Sequence, residues 1–123
     1  MPQTNFDVLK QEFDDEKLES YWKSIYEKIE DHKVAKKLLR SAEVLKSNRK
    51  AHVFCQRALR DLTGAALRTD GNFSTEMADA INFATRSGLS KQLRMTIAHY
   101  AANYVQIKVR KTEYGTYLKK LFE

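Results

Sequence analysis

Apolar residues recur every three or four positions along most of the chain, and that period predicts a protein built mainly of α-helices. From Asn5, read as an N-cap, Phe6, Leu9 and Phe13 keep helical spacing, and Asp14, Asp15 and Glu16 suit the start of a further helical stretch. Two helices or one bent helix both fit. Leu18, Tyr21, Trp22, Ile25 and Ile29 follow at i, i+3, i+4, i+7 and i+11, and the stripe resumes through Val34, Leu38, Ala42 and Leu45. Ser47, Asn48, Arg49 and Lys50 interrupt it, after which Val53, Phe54, Ala58, Leu59, Leu62 and Ala66 define another amphipathic helix.

Asp70, Gly71 and Asn72 form a turn signal, and Phe73 ahead of Ser74 reads as a hydrophobic staple before an N-cap, with Ala78 at the position it would touch. Met77, Ile81 and Ala84 carry that helix to Gly88, which should end it as a C′ glycine. Ser90 then caps a helix whose buried face holds Leu93, Ile97, Tyr100, Ala101 and Tyr104. Beyond it the period changes: Val105, Ile107 and Val109 alternate with Gln106, Lys108 and Arg110, which is strand spacing. After a turn at Glu113, Tyr114 and Gly115, residues Thr116, Tyr117 and Leu118 either return as a second strand or open a last short helix reaching Leu121 and Phe122. The expected class is mainly α: a helical bundle with a helix-turn-helix-like C-terminal half and a small β-hairpin of winged-helix type.

At 123 residues the chain fits a single domain, 1–123. Its charge divides it: residues 1–31 carry four Lys against nine Asp or Glu, and residues 32–123 carry eighteen Lys or Arg against seven acids. The division suggests an acidic, aromatic helical arm over 1–46 and a basic helical body over 47–123. Net charge of +6 favours anionic partners in general, although charge of this kind concerns association and not fold. The single cysteine, Cys55, sits on an apolar helical face and reads as a small buried hydrophobe in a reducing compartment. No run approaches the ~18 apolar residues that span a bilayer, and the N-terminus lacks a signal-peptide pattern, so a soluble cytoplasmic protein without membrane contact is expected.

Chemistry-bearing motifs are missing from the linear sequence. His32, His52 and His99 lie far apart without ligand-type partners at i+3 or i+4, so no metal is expected. No glycine-rich phosphate loop and no nucleophile beside a base can be assembled, which favours a binding role over an enzyme and implies no cofactor.

The stretch from Met77 to Tyr104, two helices joined by Ser87, Gly88, Leu89 and Ser90, resembles a winged helix-turn-helix. The spacing of Ala84 and Gly88 fits the motif, whereas Arg94 stands where the second helix should bury an apolar residue and Ser87 is polar. In this reading Arg86, Ser90, Lys91, Gln92 and Arg94 face nucleic acid, and Lys108, Arg110 and Lys111 contact its backbone from the ribbon. Arg49, Lys50 and Arg57 would extend the patch.

From about Lys36 to Lys120 the order of His52, Ala58, Leu59, Asp70, Gly71, Asn72, Ile81, Gly88, Leu89, Lys91, Leu93, Tyr100 and Val105 resembles a family of small helical tailed-bacteriophage proteins of uncharacterised function. That resemblance implies a phage accessory protein in the host cytoplasm, where such proteins bind nucleic acid or block a host enzyme. The first expectation is therefore a nucleic-acid-binding accessory protein. A second is an inhibitor of a host protein or defence complex, of the anti-CRISPR kind, docking through Tyr21, Trp22 and Tyr26. A third is a structural homo-oligomer joining the acidic arm of one copy to the basic body of another.

Overall fold

The computed structural model describes residues 26–108 and 111–122, which hold five helices and no strand: α1 (His32–Leu45), α2 (Asn48–Thr63), α3 (Thr75–Arg86), α4 (Ser90–Lys108) and α5 (Lys111–Leu121). Each begins and ends for a local reason. Asp31 caps α1, its Oδ1 accepting from the backbone N–H of Lys33 at 2.9 Å and of Val34 at 3.4 Å. The α1–α2 break is shorter than the sequence suggests, because only Lys46, in the left-handed region at φ 54°, and Ser47 stand between the helices. Ser47 Oγ at once caps α2 by accepting from Lys50 N–H at 3.1 Å. Helix α2 then stops at Gly64, before the Ala66 that the apolar period joins to it.

The segment from Asp70 to Asn72 is docked on α2. Gln56 Oε1 accepts the N–H of Gly71 at 2.9 Å, and Gln56 Nε2 donates to the carbonyl of Asn72 at 3.0 Å. Gly71 has φ 80°, and a Cβ built there would lie 2.3 Å from Arg49 Cγ and 2.8 Å from the Arg49 carbonyl oxygen. Only glycine fits. Ser74 caps α3 as expected, with Oγ accepting from Met77 N–H at 3.2 Å. Phe73, read as a staple, packs its ring on Tyr26 with centroids 5.0 Å apart.

Helix α3 ends in a Schellman turn. Leu89 N–H bonds back to Ala84 O at 2.9 Å and Gly88 N–H to Thr85 O at 3.1 Å, with Gly88 at φ 81°. The expected meeting of two helices at this glycine is therefore observed. Ser90 is not a cap: its hydroxyl donates to Asp31 Oδ2 at 2.6 Å, and α4 starts at Ser90 itself.

The strand reading of Val105, Ile107 and Val109 fails for a packing reason. Ala98, Ala101, Ala102 and Val105 recur at i, i+3, i+4 and i+7 and are all buried, so α4 continues through Lys108. Three alternating residues are outweighed by two turns of helix that bury small side chains against α1 and α2. Thr116 to Leu118 likewise belong to α5, the helical alternative, so no winged hairpin forms among the described residues. Val109 and Arg110 lie outside them.

Helices α1, α2 and α4 pack against one another, α3 lies on α2 and α4, and α5 lies on α4 and α1. One cluster joins Tyr26, Ile29, Leu38, Leu39, Leu59, Met77, Ile81, Leu93 and Ile97, and a second joins Leu45, Phe54, Val105 and Leu121 through alanines 42, 51, 98, 101 and 102. The side chain of Tyr100 packs against both. Thus residues 26–45, grouped by charge with the N-terminal arm, supply central core. Cys55 is wholly buried, and burial pushes its thiol far above the ordinary range, so it is protonated filling. No described helix is long and apolar enough to cross a membrane.

Candidate nucleic-acid interface

The cationic residues separate into those already held by a partner and those that are not. Arg86 belongs to the first class. Its Nε donates to Glu30 Oε1 at 2.8 Å and its NH2 to Oε2, and that hydrogen-bonded pairing holds the Glu30 carboxyl below its ordinary range. Ser90 is also engaged, by Asp31. Burial raises the Asp31 carboxyl, but the Ser90 hydroxyl, the Lys33 and Val34 N–H groups and the charge of Arg94 outweigh it, so the group stays below the usual carboxylate range. Two residues expected to face nucleic acid therefore tie the α3–α4 turn to the segment before α1.

The second basic face, along α2 and α4, is similarly engaged. Lys50 Nζ donates to the Tyr104 hydroxyl at 2.6 Å and stands 4.6 Å from that ring's centroid, Arg57 lies over Phe54, and Arg49 Nε donates to the Asp70 carbonyl at 3.1 Å. Phe54 stacks on Tyr100, whose hydroxyl donates to Asp61. Lys50 and Arg57 brace the aromatic seam between two helices, and Arg49 holds the loop at Asp70.

Lys91 and Gln92 are exposed on the first turn of α4, and no hydrogen bond or ion pair among the described residues holds Lys91. One turn on, Arg94 is half-buried, its Nε donating to Ser90 O at 3.3 Å. There it meets a row of cations that the helix-turn-helix reading omits: Lys33, Lys36, Lys37 and Arg40 stand at i, i+3, i+4 and i+7 on α1, and with Arg94 they line a cavity of 180 Å³. Lys33 and Lys36 are exposed, and their ammonium groups have no partner among the described residues. Lys37 is buried and donates to the Leu121 carbonyl, which anchors its charge at the C-terminal end of α5. Arg40 lies 3.6 Å from Glu43, a carboxylate shared with Lys120 at 2.9 Å. Lys33 and Arg94 also border a more open depression with Lys91, whose lining includes the carboxylates of Glu30 and Asp31.

Like charges three and four apart on a helix repel by roughly 0.2–0.5 kcal/mol per pair. Four such pairs occur among Lys33, Lys36, Lys37 and Arg40, and the only acid on α1 itself is Glu43. The row thus costs stability, relieved on α1 at Arg40 by Glu43.

Comparison of the chain with protein-family models, with curated proteins and with solved structures gives no match.

Of the other expected contacts, Lys108 closes α4 and Lys111 opens α5, so their backbones are helical and not ribbon; Arg110 and the placement of the Lys108 and Lys111 side chains lie outside the described residues. Among the anchors expected for a protein partner, Tyr21 and Trp22 also lie outside them. Tyr26 is 2% exposed and hydrogen-bonded to His52, so it is core. Among the described residues no three or more His, Cys, Asp or Glu converge as metal ligands do.

The α1 row has a signal in the sequence. Between His32 and Arg60 the chain holds nine Lys or Arg against one Glu, and Lys33, Lys36, Lys37 and Arg40 are phased against the apolar stripe Val34, Leu38, Ala42. Averaging charge over 1–46 conceals this run behind the acids that precede it.

Proposed function

We propose that the protein binds nucleic acid, without catalysis, through the cationic face formed by α1 and the first turns of α4. One observation carries the reading: Lys33, Lys36, Lys37, Arg40 and Arg94 line one surface cavity, with Lys91 beside them. Ammonium and guanidinium groups in a row release condensed counterions when they meet phosphates, and this supplies most of the affinity of sequence-independent binding. The recognition turn of the helix-turn-helix reading contributes Lys91, Gln92 and Arg94, while Arg86 and Ser90 act as braces. The resemblance to small phage proteins sets such a role in the host cytoplasm.

The test is retention of a labelled duplex by two variants of equal charge. Lys33→Gln, Lys36→Gln, Arg94→Gln should lose retention at low salt, whereas Lys46→Gln, Arg68→Gln, Lys119→Gln, which removes three cations placed elsewhere, should keep most of it. Equal loss in both would reject a defined face.

A second reading, docking on a host protein, is favoured by Phe83 on α3, which is 63% exposed. A host-lysate partner that survives nuclease treatment and is lost in Phe83→Ser would support it.

A further inference from the structure

We infer that the cavity between α1 and α4 is a built pocket for one phosphate group, the group that seats a strand end or a single backbone position; this rests on the nucleic-acid reading above. A diffuse basic surface needs no cavity. Here the five lining residues among the described ones, Lys33, Lys36, Lys37, Arg40 and Arg94, are all cationic. Four of the five project from one face of a single helix, which keeps their charges near one another.

The volume sets the ligand class. At 180 Å³ the cavity falls below the ~300–1,000 Å³ of pockets that take whole organic ligands. One tetrahedral oxyanion with part of its hydration fits that space.

The donors are suited to that anion and in part lack acceptors. Arg40 Nε is buried with no hydrogen-bond partner among the described residues, while NH1 of the same guanidinium lies 3.6 Å from Glu43. Arg94 uses only its Nε in a hydrogen bond, which leaves the two terminal nitrogens for a forked contact of the kind guanidinium makes with phosphate. Lys37, held by Leu121, fixes a positive charge in the wall, and exposed Lys33 and Lys36 can swing in from the rim. A phosphate monoester, with charge near −2, gains more here than a diester with charge −1.

The experiment titrates inorganic phosphate into the full chain at constant ionic strength, following backbone amide resonances. A saturable shift confined to residues 33–40 and 90–94, absent with chloride, is expected. Arg94→Lys, which keeps the charge and removes the fork, should weaken phosphate about tenfold, and Lys36→Gln should weaken it further while circular dichroism stays unchanged. Phosphate acting no differently from chloride, or equally on wild type and Arg94→Lys, overturns the pocket.

Competition against oligonucleotides with and without a 5′-phosphate separates the sources. Tighter binding of the phosphorylated strand assigns a strand end, and equal binding displaced by phosphate assigns a backbone position. Oligonucleotide binding that phosphate does not displace rejects the pocket and leaves the nucleic-acid reading standing. Saturable phosphate binding with no oligonucleotide bound does the reverse.

Discussion

Ser90 donates its hydroxyl to Asp31 across 2.6 Å, and the same carboxylate caps α1 through Lys33 and Val34, so one side chain fixes the starts of two helices. Because those helices carry the cationic face, Asp31 positions it. Asp31→Ala removes the cap and the acceptor for Ser90 and should cost about 1–2 kcal/mol in chemical denaturation. Asp31→Asn keeps a capping oxygen but removes a negative charge that acts on Arg94, so oligonucleotide binding should tighten.

The same carboxylate predicts an acid limit. Its folded value is depressed, so its contribution is complete above the ordinary carboxylate range and disappears as pH falls through the folded value. Melting temperatures between neutral and acid pH should fall less steeply for Asp31→Asn than for the wild type.

A second pH effect lies nearer neutrality. His52 is held on both sides, with Nδ1 2.9 Å from the Gly71 carbonyl and Nε2 2.9 Å from the Tyr26 hydroxyl. The carbonyl can only accept, so Nδ1 carries the proton and Nε2 accepts from Tyr26. Burial lowers the His52 value, against the Gly71 hydrogen bond, which raises it. Stability from the neutral ring is therefore present above the ordinary histidine value, about 6.5, and is lost as pH falls below it toward the folded value. An imidazole titration followed by NMR should show His52 neutral as the Nδ1–H tautomer where an ordinary histidine is already charged. Tyr26→Phe should cost about 1 kcal/mol.

Gly71→Ala places a methyl group against the Arg49 backbone at φ 80° and should destabilise by about 2–4 kcal/mol. The loss should appear in urea as a lower midpoint with an unchanged slope.

The helical frame is legible in the sequence where apolar period and capping chemistry agree, as at Ser74, Gly88 and the stripe Leu93, Ile97, Tyr100. It is misread where a short alternation competes with a long helix: Val105 is the fourth member of the alanine face that begins at Ala98, and only the packed neighbours α1 and α2 decide between the two periods. The site is half legible. Lys91 and Arg94 follow from the glycine turn, but the commitment of Arg86 to Glu30 and of Ser90 to Asp31 spans more than fifty residues and has no local signature. The α1 cations are visible as a helical row, yet their meeting with Arg94 depends on α1 packing beside α4.

The salt dependence of duplex binding tests the cationic face most directly. Wild-type affinity should fall linearly on a log–log plot against salt, and Lys33→Gln, Lys36→Gln, Arg94→Gln should flatten the slope by about 2–3, near 0.9 for each phosphate that the variant no longer neutralises. A slope unchanged in that variant, with affinity retained at low salt, would contradict nucleic-acid binding through α1 and the start of α4.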